Sequence, residues 1–155
     1  MESPRHHNIA LSTVWSAIVL LVCQSLLLIA LLLVMRLFRG VRSDVAYHST
    51  RGDNDEVYLL DFYRGLEGNL TRNPAWDSAP ARSPDGNRVA FASLRDGNQE
   101  IYVMDVDGSH VTRLTHNLAR DTHPSWSPDG TYIAFASDRS GNWDILTMSA
   151  DGRDI

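Results

Sequence analysis

Two closely similar stretches decide the fold of this chain: SPDGNRVAFASLRDGNQEIYVMDVDG at residues 83–108 and SPDGTYIAFASDRSGNWDILTMSADG at residues 127–152. They lie 44 residues apart, and residues 83–110 share 15 of 28 positions with residues 127–154 without a gap. A more diverged copy precedes them at the same spacing. Self-similarity at a fixed period of this length is typical of repeat architectures such as solenoids and propellers.

Each period contains short runs that alternate large and small residues, which is the pattern of β-strands. Residues 88–93 and 132–137 are the clearest of these runs, and both of their faces are apolar. One face carries alanines, which let a neighbouring layer approach closely, while the other carries larger side chains. Further strands are predicted at 99–105, 111–115, 123–127 and 143–149.

Turn sequences separate these strands at fixed positions of the repeat. Ser-Pro-Asp-Gly suits a type I turn because proline fixes φ at its second position, and Asp-Gly is a hairpin signal. The recurring motif residues, to which we assign a structural role, are Ser83, Pro84, Asp85, Gly86, Phe91, Asp107, Gly108, Trp126, Ser127, Pro128, Asp129, Gly130, Phe135, Asp151 and Gly152. Four antiparallel strands per 44 residues make one blade of a β-propeller. The sequence therefore predicts an all-β fold built of antiparallel four-stranded blades.

The repeats make an incomplete propeller. Residues 46–155 hold about two and a half blades, whereas propellers typically close with about four to eight. We therefore expect a partial β-propeller, truncated in its last blade, and a chain that is a fragment of a longer protein. Completion of the ring by an oligomer of several chains is the alternative.

A long apolar segment precedes the repeats. Residues 9–35 carry no formal charge, and roughly 20 such residues in a helix can cross a bilayer core. A cleaved signal peptide has a shorter apolar region, of about 7–15 residues, followed by a small-residue cleavage site that is missing here. We predict one transmembrane α-helix at 9–35, after a short tail at 1–8 and before an arginine-containing linker at 36–45.

Composition excludes several classes of function. From Asp44 onward the chain has 18 acidic side chains against 10 arginines, a net charge of −8, so nucleic acid is a poor partner. The single cysteine, Cys23, excludes an intrachain disulfide and a cysteine-cluster metal site. The chain has no nucleophile elbow, phosphate-binding loop or zinc-protease motif. We predict no catalytic residue, no cofactor and no metal site.

Three features invite a functional interpretation, and for each we favour a structural one. Residues 105–108 resemble the start of a calcium loop, but the further acidic ligands are missing, which favours a turn. His123 lies at a motif position, where we expect a structural hydrogen bond. Trp126 and Trp143 could be ligand platforms, but as motif residues we expect them to pack between blades.

The repeat can now be compared with a known family. The motifs at residues 123–130 and 133–139, followed by Gly141-Asn142 and Asp151-Gly152, resemble the repeat of TolB-type, WD40-like β-propellers. The resemblance covers residues 46–155. The copies depart from it in places: Arg82 stands where the next repeat has Trp126.

This resemblance implies a function. TolB-like propellers are periplasmic partners in envelope-spanning assemblies, which implies a non-enzymatic, membrane-anchored scaffold that binds a protein or an envelope component. It also implies that the propeller is extracytoplasmic, either periplasmic or at the cell surface. Arg36, Arg39 and Arg42 follow the span and favour the opposite orientation by the positive-inside rule, although long soluble domains often translocate regardless of modest flanking charge.

An enzyme-associated alternative also follows from resemblance. Similar propellers form the N-terminal gate of prolyl-oligopeptidase-like serine peptidases, and the catalytic domain would then lie beyond residue 155. The sequence identifies neither the partner nor the ligand.

Overall fold

The computed structural model describes Ile29 and residues 44–155. Ser43–Ile155 form one compact unit. In this part of the chain we find no helix that is both long and apolar enough to cross a bilayer. The predicted tail at 1–8, the transmembrane helix at 9–35 and the linker up to residue 43 lie outside the described residues, apart from Ile29.

Ten strands form three antiparallel sheets, which we call the first, second and third blades. The first blade contains β1 (Asp44–Thr50), β2 (Asp55–Asp61) and β3 (Leu66–Asn69). The second contains β4 (Asp77–Arg82), β5 (Arg88–Ser93), β6 (Glu100–Asp105) and β7 (Thr112–Arg113). The third contains β8 (Asp121–Trp126), β9 (Tyr132–Ser137) and β10 (Asp144–Ser149).

The predicted blade unit is present in full only in the second blade, where the four strands pair in chain order. The first and third blades have three strands each among the described residues. The register repeats with the sequence: Phe91 lies opposite Tyr102, as Phe135 lies opposite Leu146. The antiparallel, all-β prediction is confirmed, and the repeat period is also the structural period.

The hydrophobic core lies between the blades. One cluster joins the alanines of β5, Ala90 and Ala92, to Phe135 and its neighbours on the third blade. The other joins Val57 of the first blade to Phe91 and its neighbours on the second. The second blade is therefore covered on both faces, as the two apolar faces of its strands predicted.

The first strands of the second and third blades share one irregularity. The pairing of β4 with β5 shifts between Ser78 and Ala81, and that of β8 with β9 shifts between Thr122 and Ser125. His123 lies inside the second shift with φ +52°. His123 is exposed, and the predicted hydrogen bond of its side chain is not found among the described residues.

Candidate binding surfaces of the blades

The two Ser-Pro-Asp-Gly turns lie immediately before β5 and β9, and each is stabilised by hydrogen bonds within the turn. Ser127 Oγ donates to Asp129 Oδ1 over 2.6 Å, and the Gly130 amide donates to the Ser127 carbonyl over 2.9 Å. The hydrogen bonds from Ser127 and from the amide and hydroxyl of Thr131 together lower the pKa of Asp129 to about 2. The earlier copy has the same bond between Ser83 and Asp85, also 2.6 Å. These serines and aspartates are engaged with each other, which is the geometry of a structural turn.

The two Asp-Gly turns bring each blade close to the preceding one. A Cβ at Gly108 would lie 2.6 Å from the carbonyl oxygen of Leu70, and one at Gly152 would lie 3.0 Å from that of Leu114. Both glycines have positive φ. Asp107 and Asp151 accept hydrogen bonds from Ser109 and Ser149 of their own turns. Within residues 44–155 no three metal-ligating side chains come together.

The aromatic motif residues divide into packed and exposed ones. Phe91 and Phe135 are buried in the two core clusters. Trp126 packs against the core, and its Nε1 donates to the carbonyl of Ala81 in the neighbouring blade over 3.0 Å. Trp143 differs from the packing prediction: it is 50% exposed, with the Arg120 guanidinium 5.1 Å from its ring centre.

Buried carboxylates tie the ends of the strands together, and sequence reasoning did not identify them. Asp77 at the start of β4 pairs with Arg95 over 3.1 Å, and Asp121 at the start of β8 pairs with Arg139 over 2.9 Å. Burial raises the pKa of Asp77, against the hydrogen bond from Ser93 and the charge of Arg95. The sequence carried one signal of these pairs: the two aspartates are 44 residues apart, and so are the two arginines.

Glu100 is the centre of a second buried polar cluster. Its carboxylate accepts hydrogen bonds from Asn98 (3.0 Å), Arg113 (2.8 Å) and the amide of Asn117 (3.0 Å). Burial would raise the pKa of Glu100, but the hydrogen bonds from Thr115, Asn117, Asn98 and Arg113 outweigh it and hold the pKa below its usual value. This cluster fastens β6 to the connection that leads into the third blade.

A pocket of about 290 Å³ lies beside the second blade, at the turn that follows β10. Its polar lining includes Arg88, Asp105, His110 and Asp151. His110 Nδ1 lies 2.8 Å from Asp105 Oδ2, and the Arg88 guanidinium lies 4.6 Å from the ring centre of Trp126. The polar groups of the pocket are thus largely engaged in contacts within the chain.

A second candidate surface is formed by the connections at one end of the blades. The connections β3–β4 and β5–β6 meet at this end, where the Leu94 amide donates to the Trp76 carbonyl over 3.0 Å. The connections β7–β8 and β9–β10 meet in the same way, where the Asp138 amide donates to the Arg120 carbonyl over 3.2 Å. These four connections carry exposed apolar side chains, which we call the loop surface: Trp76, Leu94, Leu118 and Trp143. Trp76 is 56% exposed and Leu118 is fully exposed. Loops on a rigid scaffold often carry binding residues, and tryptophan is enriched in interfaces.

Comparison with known proteins identifies relatives of these blades. Residues 32–155 match the family model described as the TolB beta propeller domain. The structure is similar to a putative TolB from Agrobacterium tumefaciens, with a TM-score of 0.66 and 30% identity over 72% of this chain and 43% of that one. It is also similar to TolB from Acinetobacter baumannii, with a TM-score of 0.63 and 34% identity over 68% of this chain and 27% of that one.

A more distant likeness concerns the fold alone. An acylaminoacyl peptidase structure matches with a TM-score of 0.55 at 16% identity, over 74% of this chain and 23% of that one. No curated protein sequence matches the chain. The chain spans less than half the length of either TolB structure.

Proposed function

Because the chain belongs to the TolB β-propeller domain family, we propose that it is a membrane-anchored, non-enzymatic propeller that binds a protein or an envelope component. The observation that carries this proposal is the loop surface, where Trp76, Leu94, Leu118 and Trp143 are exposed at one end of the blades. The fold supplies a rigid support for these loops, but fold alone does not determine function.

The chemistry of the loop surface suits a protein partner. Trp143 presents a flat apolar ring with the Arg120 guanidinium beside it, and Arg120 is held by Asp138 over 2.8 Å. Aromatic and arginine side chains dominate the energetics of protein interfaces, because they bury large apolar areas and still form directed polar contacts. A partner with apolar side chains at its centre and acceptors at its rim would match this surface.

The non-enzymatic part of the proposal is supported by the relatives. The neighbours that share 30% and 34% identity are a putative TolB and a TolB, and it is the resemblance to TolB that implies a non-enzymatic role. The motif residues with functional groups, such as Ser83, Asp85, Ser127 and Asp129, bond within their own turns.

Membrane anchoring is a proposal from the sequence alone. The match begins at residue 32, so it overlaps the last four residues of the predicted span at 9–35. Residues 9–31 still provide 23 residues without a formal charge, enough for the roughly 20 that a helix needs to cross a bilayer core. We propose that the propeller lies on the extracytoplasmic side.

The binding role can be tested by site-specific photo-crosslinking of the full chain in its native envelope. A photoreactive residue replaces Trp143 in one variant and Phe62 in the control, because Phe62 is also exposed but lies in the β2–β3 connection at the opposite end. We expect a defined protein adduct at 143 that Leu118→Asp removes, and none at 62. Equal adducts at both positions, or none at 143, would contradict the proposal.

Anchoring and side are tested separately. Alkaline carbonate should leave the chain in the membrane pellet, and a protease added outside the cytoplasmic membrane should digest the blades. Release of the chain by carbonate would refute the anchor, and protection of the blades would place them in the cytoplasm.

The peptidase-gate alternative is favoured only by the fold likeness to the acylaminoacyl peptidase. The coding DNA beyond codon 155 distinguishes the two functions. A Gly-x-Ser-x-Gly segment followed by aspartate and histidine would support the peptidase, whereas further 44-residue repeats would support the binding propeller.

A further inference from the structure

Arg88 gives the pocket beside the second blade a cation without an ion-pair partner. It is half-buried at the start of β5, and its guanidinium lies 4.6 Å from the ring centre of Trp126. Among residues 44–155 no carboxylate forms an ion pair with this guanidinium, and its N–H groups donate no hydrogen bond. A guanidinium that lies against an aromatic ring still presents N–H donors along its edge, in the geometry that binds a carboxylate.

The interface between the first and second blades has a neutralised arginine at the corresponding place. There Arg82, at the repeat position of Trp126, pairs with Asp44, at the repeat position of Arg88, over 3.0 Å. The next interface holds a cation and a ring at this place but no carboxylate. An anion from outside the chain would restore the charge balance that the first interface has.

Both carboxylates of the pocket have partners of their own. Asp105 Oδ2 lies 2.8 Å from His110 Nδ1, and Asp151 forms an ion pair with Arg153. Arg88 and Asp105 are direct neighbours on β5 and β6, so their side chains lie on the same face of the sheet. Within the described residues Asp105 Oδ1 accepts no hydrogen bond. The pocket thus presents a donor edge and an acceptor oxygen side by side.

The floor of the pocket is apolar. It is formed by Val103, Met104 and Leu114, all of which are buried, together with Ala150 of the turn that follows β10. An apolar floor next to a carboxylate-binding cation selects a ligand that carries both an apolar group and a negative charge. Inorganic anions lack the first of these groups, and uncharged apolar ligands lack the second.

From these three groups we infer that the pocket binds the C-terminal residue of a peptide. The terminal carboxylate accepts hydrogen bonds from the Arg88 guanidinium, the amide N–H of the same residue donates to Asp105 Oδ1, and an apolar side chain covers the floor. One amino-acid residue carries all three groups within a few bonds, which matches the adjacency of Arg88 and Asp105 on paired strands. The volume of about 290 Å³ is near the lower end of ligand pockets, about 300–1,000 Å³, and suits one terminal residue.

This site is separate from the loop surface. His110 of the pocket follows β6, whereas Leu94 of the loop surface lies in the connection that precedes β6. The two sites are therefore at opposite ends of that strand. Failure of the photo-crosslinking test at Trp143 leaves the peptide site standing, and failure of the peptide site leaves the loop surface standing.

NMR titration of the ¹⁵N-labelled full chain in detergent tests the inference. The Trp126 indole N–H signal is the reporter, because its ring lies against Arg88. We expect saturable binding of N-acetyl-glycyl-leucine, and binding weaker by at least about tenfold for the same dipeptide as its C-terminal amide, which lacks the charge. Hexanoate has a carboxylate and an apolar chain but no N–H donor, so it should bind several-fold more weakly than the dipeptide acid.

Each of the opposite results overturns the inference. No saturable shift with the dipeptide acid would exclude the site, and equal binding of the acid and the amide would exclude the role of Arg88. Hexanoate that binds as tightly as the dipeptide acid would identify a simple alkyl carboxylate as the ligand rather than a peptide end.

Variants test the role of the guanidinium directly. Arg88→Gln should weaken binding of the dipeptide acid by at least about tenfold, to the level of the amide, and Arg88→Lys should lie between Arg88→Gln and the wild type. Arg64→Gln is the matched control, because Arg64 is exposed in the β2–β3 connection and does not line the pocket. Circular dichroism checks that each variant is folded, and the comparison of acid with amide on the wild-type chain is decisive even if Arg88→Gln is not. Unchanged affinity in a folded Arg88→Gln chain would refute the inference.

Discussion

Gly108 should be among the positions of the second blade least tolerant of a single methyl group. Gly108→Ala places a Cβ 2.6 Å from the carbonyl oxygen of Leu70, a separation that real Cβ atoms essentially never show. The residue also has φ +86°, where an L-residue costs about 1–2 kcal/mol. Forcing the first and second blades apart adds about 1–3 kcal/mol, the usual cost of overpacking. We therefore expect a total loss of about 2–5 kcal/mol in the free energy of unfolding.

Gly141 provides a matched control for the backbone contribution. Its φ is +92°, close to that of Gly108, but a Cβ there would meet nothing within 4 Å. Gly141→Ala should therefore lose only the backbone strain of about 1–2 kcal/mol. Any effect of the new methyl group on the unfolded chain is similar in the two variants and cancels in their difference.

Urea denaturation followed by tryptophan fluorescence measures both variants under one set of conditions. The linear extrapolation gives the free energy of unfolding, and equal m-values show that the surface exposed on unfolding is unchanged. Losses that agree within about 0.5 kcal/mol would refute the reasoning, because the close approach to Leu70 would then contribute nothing.

Three further outcomes follow from the same contacts. Phe135→Ala should lower the free energy of unfolding by about 3–5 kcal/mol, because Phe135 is buried between blades; a loss below about 1 kcal/mol would contradict that packing. Glu100→Gln should lower the free energy of unfolding by about 3–5 kcal/mol in the same assay, because it leaves buried donors unpaired. Asp144→Asn, at the equivalent position of the third blade, should lower it by less than about 1 kcal/mol, because Asp144 is exposed. The folded-state pKa of Asp129 lies below its ordinary value of 3.8, so its ionised form stabilises the fold above pH 3.8 and this contribution is lost as the pH falls through about 2. NMR titration should show that midpoint near 2 and its rise in Ser127→Ala; an unchanged midpoint would exclude the Ser127 hydrogen bond as a cause.

Local pattern predicted most of the strands. Residues 88–93 were expected as a strand and are β5, and the run predicted at 143–149 begins one residue later as β10. Strand alternation is visible in sequence because successive side chains point to opposite faces. The bulge at His123, where φ is +52°, was not announced by any local pattern.

The candidate surfaces were less visible in the sequence. The pairing of Asp77 with Arg95 joins residues 18 positions apart through a β-strand, and their recurrence 44 residues later becomes informative only when the pairing is known. The loop surface joins Trp76, Leu94, Leu118 and Trp143 from four connections. Trp143 was expected to pack between blades, but its connection leaves it at the open end.

The sequence by itself determined the repeat, the blade unit and the alternation of small and large faces, because these depend on spacing along the chain. Tertiary structure alone decided which faces meet within the described blades. Ile101 and Ile145 have the same residue type and the same place in the repeat, yet one is completely buried and the other is 73% exposed. The physical reason is that burial depends on whether a neighbouring blade is present, and that is a property of the assembled blades rather than of the local sequence.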